Sequence, residues 1–152
     1  MAHSTVTDRR QTLSLARVFQ SLSRDEFLSL EALSTVHAYD AGDIVIEDGD
    51  AGEDVFVVST GAAVVCKNGI NLSYLRQGDV VGEMALITGQ PRSATVIMAE
   101  RGEVLRLPRD VYSDLVERHP EMWRDLCQLI AARLRETTGI GAIQAATMRL
   151  AA

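Results

Sequence analysis

The sequence predicts a mainly β domain with helices at both ends: a sandwich or jelly-roll β-barrel flanked by N-terminal helices and a C-terminal helix pair. Three observations carry this. Between residues 36 and 107, short runs rich in Val and Ile alternate with glycine-bearing turns. Residues 12–34 and 109–137 instead repeat apolar side chains at helical spacing. The chain has 152 residues, 47% apolar and 24% charged, which suits one globular domain with a sizeable core.

Residues 1–11 are polar and read as a flexible N-terminus without a signal-peptide core. Residues 12–34 form a helical cap. Leu13, Leu15, Val18, Phe19 and Leu22 make its first apolar stripe. Ser23 and Glu26 have capping-box spacing, so a second helix opens there and carries Phe27, Leu28, Leu30 and Leu33. The barrel then occupies residues 36–107. Runs at 36–39, 44–46, 55–58, 62–66 and 70–75 are separated by turns bearing Gly42, Gly49, Gly52, Gly61, Gly69 and Gly78. Lys67-Asn68-Gly69 is a tight hairpin turn. Runs at 96–98 and 104–107, around Arg101-Gly102, complete the barrel.

Pro108 suits the start of a helix over 109–118, and His119-Pro120 breaks it. The last helix, from about residue 120 to 137, carries Met122, Trp123, Leu126, Cys127, Leu129, Ile130 and Leu134. These cover more than one face, which implies a second contact with a partner subunit or the rest of a larger chain. A homodimer through this helix is one form of it. Gly139 and Gly141 weaken helix, so residues 139–152 read as a tail and 12–138 as the domain.

Composition excludes several functions. The net charge of −6 disfavours a broad nucleic-acid-binding surface. No apolar run reaches the roughly 18 residues of a membrane span, so a cytoplasmic location is expected. Cys66 and Cys127 are far apart among apolar neighbours and are expected as buried free thiols. His3, His37 and His119 lack metal-ligand spacing, and no nucleophile–base arrangement stands out. No metal and no catalysis are expected.

The informative stretch is residues 82–96. Gly82 permits an unusual φ, Glu83 to Leu86 can form one helical turn, and Gly89-Gln90-Pro91 ends it. The first turn of a helix presents unpaired N–H groups to an anion, and Arg92 adds a planar, permanently charged fork. A carboxylate at Glu83 would repel a phosphate but would accept hydrogen bonds from a sugar hydroxyl. One anion-binding end and one hydroxyl-binding end describe a nucleotide site.

Gly82-Glu83-Met84-Ala85-Leu86, followed by Pro91-Arg92-Ser93-Ala94-Thr95-Val96, resembles the phosphate-binding cassette of cyclic nucleotide-binding domains. That family includes protein kinase A regulatory subunits, cyclic-nucleotide-gated channels and the catabolite activator protein. The turns and runs from Gly42 to Gly61 extend the likeness as structural positions. The resemblance implies phosphate binding by Arg92, Ser93 and the backbone around small Ala85 and Ala94. It implies ribose binding by Glu83 with Gly82, and cassette packing by Met84 and Leu86. Thr137 and Thr138 look like the paired hydroxyl residues that contact the base from the long helix. Ser93 is compatible with cAMP or cGMP, with cAMP favoured. The implied function is a sensor whose ligand shifts a conformational equilibrium to control an attached or associated effector. The alternatives are a catabolite-activator-type regulator lacking its DNA-binding part, and an interaction module that binds no nucleotide.

Overall fold

The computed structural model describes residues 8–83, 85, 89–129, 131, 132 and 135. The chain opens with α1 (Arg9–Leu15), a 3-10 turn (Arg17–Phe19) and α2 (Arg24–Leu33). α1 begins before the apolar stripe because Asp8 caps it, its side chain accepting from the Gln11 N–H at 3.1 Å. A polar cap is invisible to hydrophobic periodicity. At α2 the anticipated capping box is present: Ser23 Oγ accepts from Glu26 N, and the Glu26 carboxylate accepts from Ser23 N.

Eight strands follow: β1 (Thr35–Tyr39), β2 (Ile44–Ile46), β3 (Asp54–Val58), β4 (Ala62–Lys67), β5 (Ile70–Leu75), β6 (Val80–Val81), β7 (Thr95–Glu100) and β8 (Gly102–Pro108). They form two antiparallel four-stranded sheets, ordered β1-β8-β3-β6 and β2-β7-β4-β5. This is the jelly-roll arrangement. The β4–β5 hairpin turns through Asn68 and Gly69, both at positive φ (53° and 76°), as a two-residue turn requires. α3 (Arg109–Arg118) comes after β8, and residues 120–129, here α4, are helical.

Two cores share β3 and β8. Phe56, Val58 and Val104 face the second sheet and meet Ile46, Ala63, Leu75, Val96 and Met98. Val55, Val57, Leu105 and Leu107 face the helices and meet Leu13, Phe19, Leu30, Tyr112, Leu115 and Met122. With both faces covered, residues 55–58 have no reason to alternate, and all four are buried and apolar. Phe19 and Tyr112 cross edge to face, with ring centroids 6.2 Å apart, tying the 3-10 turn to α3.

α4 buries Met122 and Leu126, while Trp123 is 41% exposed, so its apolar residues do divide between two faces. Both cysteines are free, as expected, but neither is buried: Cys66 is half-buried and Cys127 exposed. Cys66 stands next to the exposed end of β4, and Cys127 lies one helical turn beyond the exposed Trp123 on α4. Apolar sequence neighbours do not determine burial where the side-chain period alternates. Among the described residues, no helix is long and apolar enough to cross a membrane.

Candidate functional site

Arg92 organises the site. It is 92% buried, and its guanidinium donates from Nη1 to the Gly82 carbonyl at 2.8 Å and from Nη2 to the Asp54 carbonyl at 2.6 Å. Its Cζ lies 6.0 Å from the centroid of the Phe56 ring. The two carbonyls orient the fork without neutralising it. Burial pulls the Arg92 pKa down from its ordinary value, and the negative charges of Asp54 and Glu83 oppose that shift. Asp54 serves twice, since its carboxylate also pairs with Arg106.

The backbone of Arg92 is equally fixed. Its N–H donates to the Asp50 carbonyl at 2.8 Å, and its carbonyl accepts from Gly49 N at 2.9 Å. The loop between β2 and β3 therefore docks on the segment that delivers the arginine. Gly52 makes that docking possible. A Cβ there would lie 2.4 Å from the Cβ of Ala85 and 3.2 Å from Arg92 Nε. Gly82 is needed twice over. Its φ is +96°, and a Cβ on it would lie 2.7 Å from Arg92 Nη1.

Glu83 is fully buried and Ala85 is 94% buried, both in helical conformation directly after β6. Gly89, at φ +65°, donates from its N–H to the Ala85 carbonyl at 3.0 Å, a left-handed stop where the sequence placed the end of the turn. Gly82, Glu83, Ala85 and Arg92 are thus brought together. Ser93 is exposed and Ala94 half-buried, next along the chain. Met84, Leu86, Thr137 and Thr138 lie outside the described residues.

The sequence reading missed the contacts of the β2–β3 loop, which it treated as a strand turn, and of Asp54 at the start of β3. Asp50, Gly52 and Asp54 all touch Arg92 or its neighbours, and two of the three do so through main-chain carbonyls that leave no side-chain signature. It also missed Lys67, whose Nζ donates to the Ser93 carbonyl at 2.8 Å. A concavity of about 260 Å³ adjoins Arg92, lined among others by Tyr39, Ile46, Phe56, Asp50, Glu53 and Arg106. No group of three His, Cys, Asp or Glu suited to a metal ion occurs among the described residues.

The sequence model of the cyclic nucleotide-binding domain matches residues 36–119, more than half of the chain. Glutaminase 1 of Bradyrhizobium diazoefficiens is 33% identical over 134 residues, which are 84% of this chain and 22% of that protein. The cAMP-dependent protein kinase regulatory subunit of Eremothecium gossypii is 36% identical over 101 residues, 65% of this chain and 22% of that one. The chain thus spans about a fifth of the length of either relative. Among solved structures, cAMP-bound PfPKA-R superposes with a TM-score of 0.79 at 23% identity, over 87% of this chain and 46% of that chain, which shows the fold.

Proposed function

The chain belongs to the cyclic nucleotide-binding domain family, and from that premise we propose that it binds a cyclic nucleotide, cAMP ahead of cGMP, and passes the resulting change of shape to an effector. The observation that carries this is the burial of Arg92 against the Gly82 and Asp54 carbonyls, next to the buried Glu83. A buried guanidinium whose hydrogen-bond acceptors are main-chain carbonyls is held in a fixed orientation and keeps its full positive charge. A cyclic phosphate supplies the opposite charge and matches the planar fork. Glu83, the residue after Gly82, then takes the ribose hydroxyl as acceptor. Ser93 and the backbone at Ala85 and Ala94 complete the phosphate end. The base end is assigned to Thr137 and Thr138.

The ligand acts by differential affinity, favouring the arrangement in which the cassette is drawn toward Arg92. Preference for cAMP rests on the cAMP-dependent kinase subunit among the relatives. The effector is a separate part of a larger protein or a partner chain. The glutaminase relative, whose length this chain matches only in part, is the example of such an arrangement. The exposed Trp123 side of α4 is where we place a homodimer or effector contact.

The deciding experiment is a calorimetric titration with cAMP and cGMP of the wild type and Arg92→Ala. Tight binding of one nucleotide and a loss of about 2–5 kcal/mol in the variant are expected, as when a buried charge pair loses one partner. If neither nucleotide binds, the chain is an interaction module that keeps the fold alone; if Arg92→Ala binds as well as wild type, the cassette around Arg92 is not the site.

A further inference from the structure

Lys67 is the last residue of β4 and the sole lysine of the chain. Its Nζ donates to the Ser93 carbonyl at 2.8 Å and lies 3.9 Å from Asp48 Oδ2. Asp48 is itself tied to the same segment, because its N–H donates to Thr95 Oγ1 at 3.1 Å. With Gly49 and Asp50 bonded to the Arg92 backbone, residues 92–95 are held by both the β2–β3 loop and Lys67. We propose that Lys67 is a positioning residue for the Arg92 site: its ammonium holds the chain at Ser93 and offsets the Asp48 carboxylate beside it. This rests on the cyclic-nucleotide reading above.

Two physical arguments support it. A binding fork has to be held to within about half an ångström, and its neighbours decide that precision. Arg92 reaches both the Gly82 and Asp54 carbonyls from its present backbone position, and the Lys67 bond holds the next residue along. The second argument is electrostatic. Residues 47–54 carry five carboxylates, Glu47, Asp48, Asp50, Glu53 and Asp54. An approaching anion meets that field, and Lys67 is the ammonium set against it. Its side chain is 45% exposed, so the effect is partly screened and depends on salt.

The test is cAMP binding by stopped flow and calorimetry at low and high salt, with urea unfolding alongside. The variants are Lys67→Met, Lys67→Arg, Asp48→Asn, the Lys67→Met/Asp48→Asn pair and Arg92→Ala. Lys67→Met should weaken binding about three- to tenfold, the scale of the net contribution of one hydrogen bond. Part of the loss should be in the association rate and shrink at high salt. Lys67→Arg should retain affinity, because it still donates to Ser93. Asp48→Asn alone should tighten binding, and in the pair it should recover part of the Lys67→Met loss. Asp48→Asn and Lys67→Arg keep the question open to measurement if Lys67→Met folds poorly. Wild-type affinity in Lys67→Met, with Arg92→Ala impaired, overturns the Lys67 role and leaves the site intact. So does a Lys67→Arg variant no better than Lys67→Met, or an Asp48→Asn change without effect. If the wild type binds no cyclic nucleotide, the functional reading itself fails and Lys67 falls with it.

Discussion

Arg92 Nη1 donates to the carbonyl of Gly82 at 2.8 Å, and a Cβ placed on residue 82 would lie 2.7 Å from that same nitrogen. The glycine thus supplies both the acceptor and the space that lets the donor reach it. The close approach comes at a left-handed φ of +96°, which an L side chain resists.

Gly82→Ala should therefore cost stability as well as affinity. Strain at such a φ is on the order of 1–3 kcal/mol. The added methyl also displaces Arg92 from its two carbonyls. Urea unfolding should show the midpoint falling, and cAMP titration should show weaker binding. A variant with wild-type values in both would mean that the Arg92–Gly82 contact is not a constraint on the site.

The Gly52–Ala85 approach gives a separable prediction. Gly52→Ala should push the β2–β3 loop off the turn at Ala85, since the new Cβ would lie 2.4 Å from the existing one. Overpacking of this kind costs about 1–3 kcal/mol. Removing the opposing methyl with Ala85→Gly should restore much of it, even though glycine costs about 1 kcal/mol in a helix. In a double-mutant cycle by urea unfolding, the two changes should couple by about 0.5–3 kcal/mol. Strict additivity would show that the loop and the turn do not press on each other.

How far these relationships could be read from the chain depends on which atoms make them. The Val55–Val58 run announced a strand because burial on both faces demands apolar side chains throughout. Gly82, Glu83 and Arg92 stood out in the sequence because a left-handed φ and buried charged side chains call for particular residue types at those positions. The docking of the β2–β3 loop made no such demand. Gly49 N, Asp50 O and Asp54 O would be present whatever side chains those positions carried. The Lys67 bond likewise joins residues 26 apart through a main-chain carbonyl, which no spacing pattern encodes. Asp8 at the start of α1 belongs to the same class, a polar contact outside the apolar period.

The helical layer holds a pH-sensitive contact. Glu26, in the first turn of α2, accepts from the Ser23 backbone and lies 2.7 Å from His119 Nε2. Arg118 Nη1 is 3.5 Å from the same oxygen. His119 stands between α3 and α4, so this carboxylate joins the N-terminal helices to the junction from which the last helix departs. The hydrogen bond with His119, followed by that from the Ser23 backbone, holds the Glu26 pKa down to about 2 from its ordinary 4.5. A carboxylate whose folded pKa is depressed contributes stability that is present above its unfolded pKa and lost as pH falls through the folded one. The contribution of Glu26 should therefore be full above about pH 4.5 and vanish toward about pH 2. Glu26→Gln has no such titration. Urea midpoints of wild type and Glu26→Gln, followed across that window, should differ in favour of wild type at the upper end and converge at the lower. A gap that stays constant with pH would mean that the Glu26 charge is not what binds α2 to the α3–α4 junction.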